Sequence, residues 1–128
     1  NTSLVLQVDH GNTRVILPGD IDASVERLLF DNPAPEGLKV LLLSPHHGSR
    51  HSNSHLLFER VKPKAVVFSC GYQNGFGFPA PTVLKNCRSL HIPYHRTDLE
   101  GAIQAISDGD DWKIFPSAPQ RGQQAARP

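Results

Sequence analysis

Imidazole side chains are concentrated in one short segment, 45–54, whose sequence is PHHGSRHSNS. Four of the chain's seven histidines, His46, His47, His51 and His55, fall within ten residues, the last of them directly after this segment. Gly48 allows the backbone to bend closely around whatever the imidazoles hold. Neutral imidazole is the commonest protein ligand for zinc and similar metals. The segment therefore suggests a metal site, although an isolated His-His pair is by itself more typical of a polar, solvated loop.

A second chemically suggestive position is Asp20, in the segment Leu-Pro-Gly-Asp-Ile at 17–21. The apolar residues before it predict a strand, as does the apolar run 40–43 before the histidines. Ligands in open α/β sheets gather beyond the carboxyl ends of the strands, so Asp20, His46 and His47 are expected to converge. Helix capping is the alternative role. It is favoured for Asp22, while Asp20 fits either role.

Composition limits the class of protein. The chain has 128 residues, 38% of them hydrophobic, which supports one domain with a real core. It contains no methionine and passes directly from Asn1 into an apolar strand, which is typical of a piece excised from a longer protein. No apolar run approaches the length of a membrane span and no signal peptide is recognisable. We therefore expect a soluble piece whose parent need not be soluble.

Charge and cysteine content give little direct indication of function. The formal net charge is +1, so composition makes no general electrostatic case for nucleic acid. Four local basic residues are more typical of a solvated helix end than of a DNA contact: Arg50, Arg60, Lys62 and Lys64. Cys70 and Cys87 are too few and too widely spaced for a zinc ribbon or a disulfide framework, and we expect two buried thiols.

The order of elements predicts an α/β fold. Strands are expected at 3–9, 13–17, 39–44, 65–70, 91–96, 101–107 and 111–115, and helices at 23–30, 53–61 and 81–90. The runs 40–43 and 65–68 are continuously apolar, as in strands covered on both faces. Hairpin turns are predicted at 9–12 and 108–111. Residues 1–116 are expected to form one structural unit, and residues 117–128, which are polar, a disordered tail.

Several motifs in order match one family. They are the N-terminal Asn-Thr-Ser-Leu-Val-Leu, Pro-Gly-Asp-Ile at 18–21, Pro-His-His-Gly-Ser at 45–49, Asn-Gly-Phe-Gly-Phe-Pro at 74–79, and Arg-Thr-Asp at 96–98 with Gly101. On these residues the chain resembles the second half of the metallo-β-lactamase-like domain at the C-terminal end of ComEC competence proteins, the membrane channels of natural DNA uptake. The resemblance spans about residues 1 to 107.

The resemblance implies an αββα sandwich with a mixed sheet, helices packed on it, and two metal ions between the sheets. The family's first half supplies a His-x-His-x-Asp-His-type cluster, which this chain lacks. By resemblance, Asp20 takes the place of the bridging carboxylate, and His47, with His46, lies at the edge of the site. Two departures stand out. Phe78 occupies the place of a family histidine, and Arg50 and His51 interrupt a loop that is usually rich in serine and threonine.

The activity implied is that of a metal-dependent phosphodiesterase or nuclease acting on incoming DNA. Asp20 and His47 would be catalytic, with Asp20, His46 and His47 as metal ligands. Substrate contacts fall to Ser49, Arg50 and His51, and Arg50 offers bidentate phosphate contacts. The cofactor would be zinc or manganese in the full-length domain, with little or none expected in this fragment. The alternatives are a non-catalytic module that guides DNA and a purely structural half-fold.

The resemblance also implies partners and a location. The partners are DNA, either single-stranded or incoming duplex, the missing N-terminal half of the domain, and the membrane channel of the parent. The location is a soluble, extracytoplasmic (periplasmic) domain of an inner or plasma membrane protein. Self-association is expected as well, because strands 3–9 and 13–17 would lose their cover without the first half.

Overall fold

Strands lie where the apolar runs predict them in the computed structural model of the chain, which describes residues 3–118. This part contains seven strands: β1 (Leu6–His10), β2 (Thr13–Leu17), β3 (Lys39–Leu43), β4 (Ala65–Phe68), β5 (Tyr94–Arg96), β6 (Ile103–Ser107) and β7 (Trp112–Pro116). It contains four α-helices: α1 (Ala23–Leu29), α2 (His55–Val61), α3 (Pro81–Ser89) and α4 (Thr97–Glu100). A single 3-10 turn, Pro45–Gly48, follows β3.

The five N-terminal strands form one mixed sheet in chain order. β1 pairs antiparallel with β2, and β2, β3, β4 and β5 run parallel to one another. Helices α1, α2 and α3 connect the parallel strands. β6 and β7 form a separate antiparallel hairpin. The predicted α/β class, with a mixed sheet and helices, is confirmed.

Both faces of the central strands are covered, as their continuous apolar runs predict. On one face Val40, Leu42 and Val66 pack with Phe58 of α2 and Val83 of α3. On the other face the β6–β7 hairpin covers the sheet, in a cluster made of Leu41, Ala65, Val67, Trp112 and Ile114 together with their neighbours. The sheet is therefore the middle of three layers, and its carboxyl-end loops emerge between helices and hairpin.

Several predicted boundaries were wrong. β4 ends at Phe68 rather than at residue 70, because Thr97 binds the backbone of Cys70 in place of a strand partner. The strand expected at 91–96 is reduced to β5, and the chain then turns into α4, a helix that periodicity did not predict. Of the predicted tail, residues 119–128 lie outside the described part of the chain. No helix among residues 3–118 is long and apolar enough to cross a membrane.

One face of the outer strands is apolar and exposed. Leu6, Val8 and Leu17 are exposed, and their register with Val15 puts them on the face that the hairpin covers elsewhere. β1 lies at the edge of the sheet, with β2 as its one neighbour within the described residues. A free edge beside an uncovered apolar face favours pairing with another chain.

We expect the chain to self-associate for this reason. Sedimentation velocity should show dimers or larger species whose fraction rises with concentration. Replacing Leu6 and Val8 together with lysine should shift the distribution towards monomer, because charge on an edge strand opposes pairing. Leu28→Lys, at an exposed leucine on α1, is the matched control and should leave the distribution unchanged. A wild-type chain that stays monomeric at high concentration would contradict the prediction.

Candidate functional site

A pocket opens at the carboxyl edge of the parallel sheet, where ligand sites of open α/β sheets occur. All four parallel strands contribute to it, since its lining residues follow β2, β3, β4 and β5. The lining consists of Asp20, His46, His47, Ser69, Cys70, Gly71, Asn74, Phe76, Phe78 and Thr97. Its volume is about 510 Å³, in the range of small-molecule sites. Asp20, His46 and His47 therefore converge as the strand pattern predicts.

Asp20 and His47 form the polar centre of the pocket. Nε2 of His47 lies 3.7 Å from Oδ1 of Asp20, and both side chains are more than half exposed. Nδ1 of His47 lies 2.8 Å from the carbonyl oxygen of Ser69. Because a carbonyl oxygen can only accept, Nδ1 carries the proton and donates it. The imidazole is thus oriented by β4, with Nε2 directed towards the carboxylate that follows β2.

The two histidines depend on an unusual backbone conformation. His46 and His47 both have positive φ, 51° and 56°. Left-handed conformations are costly for residues other than glycine and cluster at functional sites. The turn is held by the His46 amide, which donates to the carbonyl of Gly19 at 2.9 Å. This hydrogen bond joins the segment 45–49, which we call the histidine loop, directly to the loop that carries Asp20.

Hydrogen bonds from the buried side chain of Asn53 hold the histidine loop in place. Its buried side chain donates to the carbonyls of Pro45 (2.9 Å) and Ser49 (3.0 Å) and accepts from the hydroxyl of Ser44 (2.6 Å). Its backbone amide donates at 2.6 Å to Glu26, a carboxylate only 1% exposed. The position of the imidazoles is therefore set by a buried polar network that reaches α1.

The capping alternative is settled by the hydrogen bonds of Asp22. Its carboxylate accepts from the amides of Ser24 and Val25 at 3.1 and 3.2 Å, so Asp22 is the N-cap of α1. Its hydrogen bonds to the Ser24 side chain and to the Val25 and Ser24 amides lower the pKa of this carboxyl group. Asp20 lies outside the helix and lines the pocket.

The three residues expected to bind substrate lie outside the pocket lining. Ser49 is buried, and its hydroxyl accepts from the amide of His51 at 3.2 Å, so it supports the loop from within. Arg50 and His51 are exposed on the adjoining turn. The structure thus pairs two of the expected ligands, Asp20 and His47, with His46 in the same pocket lining. It places the expected phosphate contacts Arg50 and His51 on the adjoining exposed turn.

The opposite wall of the pocket is an aromatic loop that sequence reasoning did not single out for binding. The rings of Phe76 and Phe78 are stacked at 5.4 Å with an interplanar angle of 17°. Phe78 also contacts the ring of His46 edge-on at 5.8 Å. The cluster of glycine and aromatic residues at 74–79 could have indicated a binding loop, but we used it for family resemblance alone.

Cys70 lines the pocket but is half-buried rather than buried as expected. Burial, with a contribution from the nearby Asp98 carboxylate, raises its pKa to about 11, and burial raises that of Cys87 in α3 to about 12. A thiol that stays protonated at neutral pH is a poor nucleophile. Cys70 therefore lines the pocket wall as an uncharged thiol.

We expect Cys70 to resist alkylation accordingly. A pKa raised from 9.0 to about 11 lowers the thiolate fraction at pH 8 by roughly 100-fold, and iodoacetamide reacts with the thiolate. Labelling followed by mass spectrometry should be slow at pH 8 and should accelerate nearly tenfold per pH unit up to about pH 10. The chain unfolded in urea is the control and should label rapidly. Fast labelling of the native chain at pH 8 would refute the prediction.

The fold and the pocket define an α/β domain whose candidate site is built at the carboxyl ends of four parallel strands. No known family model matches the chain, and no solved structure does. Among curated proteins, the chain is 34% identical over 102 residues to competence protein ComA of Neisseria gonorrhoeae, which covers 80% of this chain. It is 34% identical over 107 residues to ComE operon protein 3 of Bacillus subtilis, covering 81%.

A third relative is recombination protein 2 of Haemophilus influenzae, 29% identical over 102 residues and covering 80% of the chain. The chain spans only 13–15% of the length of these three relatives. The similarity to these relatives supports a competence protein, in agreement with the resemblance drawn from the sequence motifs.

Proposed function

We propose that this chain is the second half of a metallo-β-lactamase-like domain in a DNA-uptake protein, and that its pocket forms one side of a metal-dependent phosphodiesterase site. The observation that carries the proposal is the pairing of Asp20 with an oriented His47 at the carboxyl edge of the sheet. The similarity to competence proteins supplies the biological setting and makes DNA the proposed substrate.

The orientation of His47 favours a cation between the two side chains. With its proton on Nδ1, a neutral imidazole directs the lone pair of Nε2 at a carboxylate oxygen 3.7 Å away. Metal-binding histidines characteristically donate their other N–H to a backbone carbonyl in this way. Ligand atoms lie about 2.0–2.2 Å from zinc, so two atoms at this separation fit around one ion. Protonation of Nε2 is the alternative, and it would give an ion pair.

The donors present fit one side of a metal site rather than a complete one. Within residues 3–118 no group of three or more His, Cys, Asp or Glu side chains is arranged to hold a metal ion. Catalytic zinc sites use three protein ligands, so in the proposed site the remaining ligands would come from segments outside this chain. The cofactor we propose for the full-length domain is zinc or manganese, which would polarise the phosphoryl oxygen and activate a water.

The chain's own residues supply binding and orientation. Across residues 3–118 the imidazole of His46 makes ring contacts and no hydrogen bond, so a ring N–H can donate to a phosphate oxygen at the pocket. Arg50 and His51 lie on the exposed turn beside the pocket, where they can contact phosphates that flank the bound one. We propose an extracytoplasmic position in a membrane-bound parent, as the resemblance implies.

A non-catalytic module that guides DNA is the second candidate function. It is favoured by Phe78, which stands where the family has a histidine and directs an aromatic ring at His46. It is favoured as well by the incomplete set of metal donors among the described residues. In this alternative, the histidines and the aromatic loop bind DNA without cleaving it.

The test uses the full-length domain, including the residues that precede Asn1. With Mn²⁺ or Zn²⁺ it should cleave a labelled single-stranded oligonucleotide, and Asp20→Asn and His47→Gln should each lower the rate by about 100-fold or more. Asp110→Asn in the exposed β6–β7 turn and His55→Gln on α2 are matched controls and should retain activity. DNA binding without cleavage under these conditions would exclude the phosphodiesterase and favour the guiding module.

A further inference from the structure

We propose that Phe76 and Phe78 form a stacking platform for unpaired nucleobases at the rim of the pocket. The inference deepens the proposed function, on which it rests, because it names the part of the substrate that this wall recognises. It does not depend on metal chemistry. The occupant is a single strand of nucleic acid whose base lies on Phe76 and whose phosphate faces His46.

The geometry of the two rings carries the proposal. They lie nearly parallel, at 17°, with centroids 5.4 Å apart, and Phe76 is 80% exposed. A phenyl ring left this exposed contributes little to the core, and its partner in the structure is the stacked ring of Phe78. Aromatic faces presented to solvent in this way are the means by which proteins hold single strands, because every base offers a π-face.

Hydrogen bonds within the loop that carries the two rings hold its backbone in shape. Asn74 closes the loop: its side-chain amide donates to the carbonyls of Gly71 (3.0 Å) and Phe78 (2.7 Å), and its side-chain oxygen accepts from the amide of Phe78 (2.9 Å). The inner face of the platform rests against the ring of His46. Pre-organisation of this kind lowers the entropic cost of binding.

Continuity with the polar centre argues for a nucleotide rather than an apolar ligand. Phe76 and Phe78 line the same pocket as Asp20, His46 and His47. The pocket's volume of about 510 Å³ suits a ligand of nucleotide size. Its lining combines aromatic faces with the imidazole of His46, which can donate to a phosphate, while His47 is turned towards the carboxylate of Asp20. A protein partner would need about 800 Å² of contact on each side, far more than two rings offer.

The test is binding of fluorescein-labelled dT12 to the chain in EDTA, followed by anisotropy at low salt. Phe76→Ala should weaken binding by about 5- to 50-fold, as expected for the loss of one base-stacking contact. Phe76→Leu should weaken dT12 binding equally, because leucine keeps the apolar volume and loses the π-face. Phe76→Trp, which keeps an aromatic face, should bind dT12 as the wild-type chain does. Phe115→Ala, at an exposed phenylalanine on β7, is the matched control and should bind as wild type does.

A second probe separates stacking from phosphate attraction. An abasic 12-mer with the same backbone should bind the wild-type chain no better than dT12 binds Phe76→Ala. Equal binding of abasic and normal strands, full binding by Phe76→Leu, or no binding of dT12 by the wild-type chain would each overturn the proposal. Because EDTA removes divalent metal, failure of the cleavage test leaves this result intact, and failure here leaves the cleavage test intact.

Discussion

Replacing Gly48 with alanine is expected to lower the free energy of unfolding by about 3 kcal/mol or more and to separate the two loops that form the pocket. A Cβ at this position would lie 2.6 Å from Cβ and 2.8 Å from Cα of Pro79, and 3.0 Å from a ring carbon of Phe68. Gly48 also has φ of +93°, a conformation that L-residues rarely adopt. The clash and the strain therefore act at the same residue.

The clash matters because Gly48 is where the histidine loop meets the aromatic loop. Its carbonyl accepts from the amide of Ala80 at 2.9 Å, next to the contact with Pro79. Pushing these segments apart would move Phe78 away from His46. We therefore expect Gly48→Ala to lose oligonucleotide binding together with stability.

Gly37 provides a matched control. It also has positive φ, +80°, but nothing lies within 4 Å of a Cβ built there. Gly37→Ala isolates the conformational cost, which should be about 1–2 kcal/mol. Urea denaturation of both variants measures the difference, and equal losses in the two would show that the contact with Pro79 is not tight.

Glu26→Ala is expected to lower the free energy of unfolding by about 3–5 kcal/mol. The Glu26 carboxylate accepts from the amide of Asn53 (2.6 Å) and from the amide and hydroxyl of Ser54 (3.0 and 2.7 Å). Each buried donor left without a partner costs about 1–3 kcal/mol. Small domains are stable by only about 5–15 kcal/mol, so the loss is a large fraction of the total.

The effect should extend to the site, because Asn53 holds the histidine loop through its own side chain. Glu59→Ala is the control: Glu59 is half-exposed on α2 and forms an i,i+4 pair with His55. Exposed pairs of this kind contribute about 0.3–0.5 kcal/mol. Urea denaturation with circular dichroism compares the two variants. A Glu26→Ala chain as stable as Glu59→Ala would mean that water replaces the carboxylate.

Local sequence patterns were sufficient for most of the sheet. Continuous apolar runs identified β3 and β4 as strands covered on both faces, and the turn residues at 9–12 and 108–111 predicted both hairpins. These features depend on near neighbours in the chain, so period and turn chemistry report them. The convergence of Asp20 with His46 and His47 followed from the same reasoning, because parallel strands bring their carboxyl ends to one edge.

Features that depend on distant residues could not be predicted. The fold buries Glu26 of α1 against Asn53 and Ser54, which lie 27 and 28 positions away. Helix α4 and the early end of β4 depend on Thr97 binding the backbone of Cys70 across the same distance. Such hydrogen bonds leave no periodic signal.

By itself, then, the sequence determined the α/β class, the positions of most strands along the chain and the edge at which His47 and Asp20 meet. The tertiary structure decided which side chains face the pocket and which support it from behind: Ser49 is buried beneath the loop, while Phe76 is exposed at the rim. The physical reason is that the positions of strands along the chain follow from local burial patterns, whereas the direction of a loop side chain depends on what packs against the loop, here Asn53, Gly48 and Pro79.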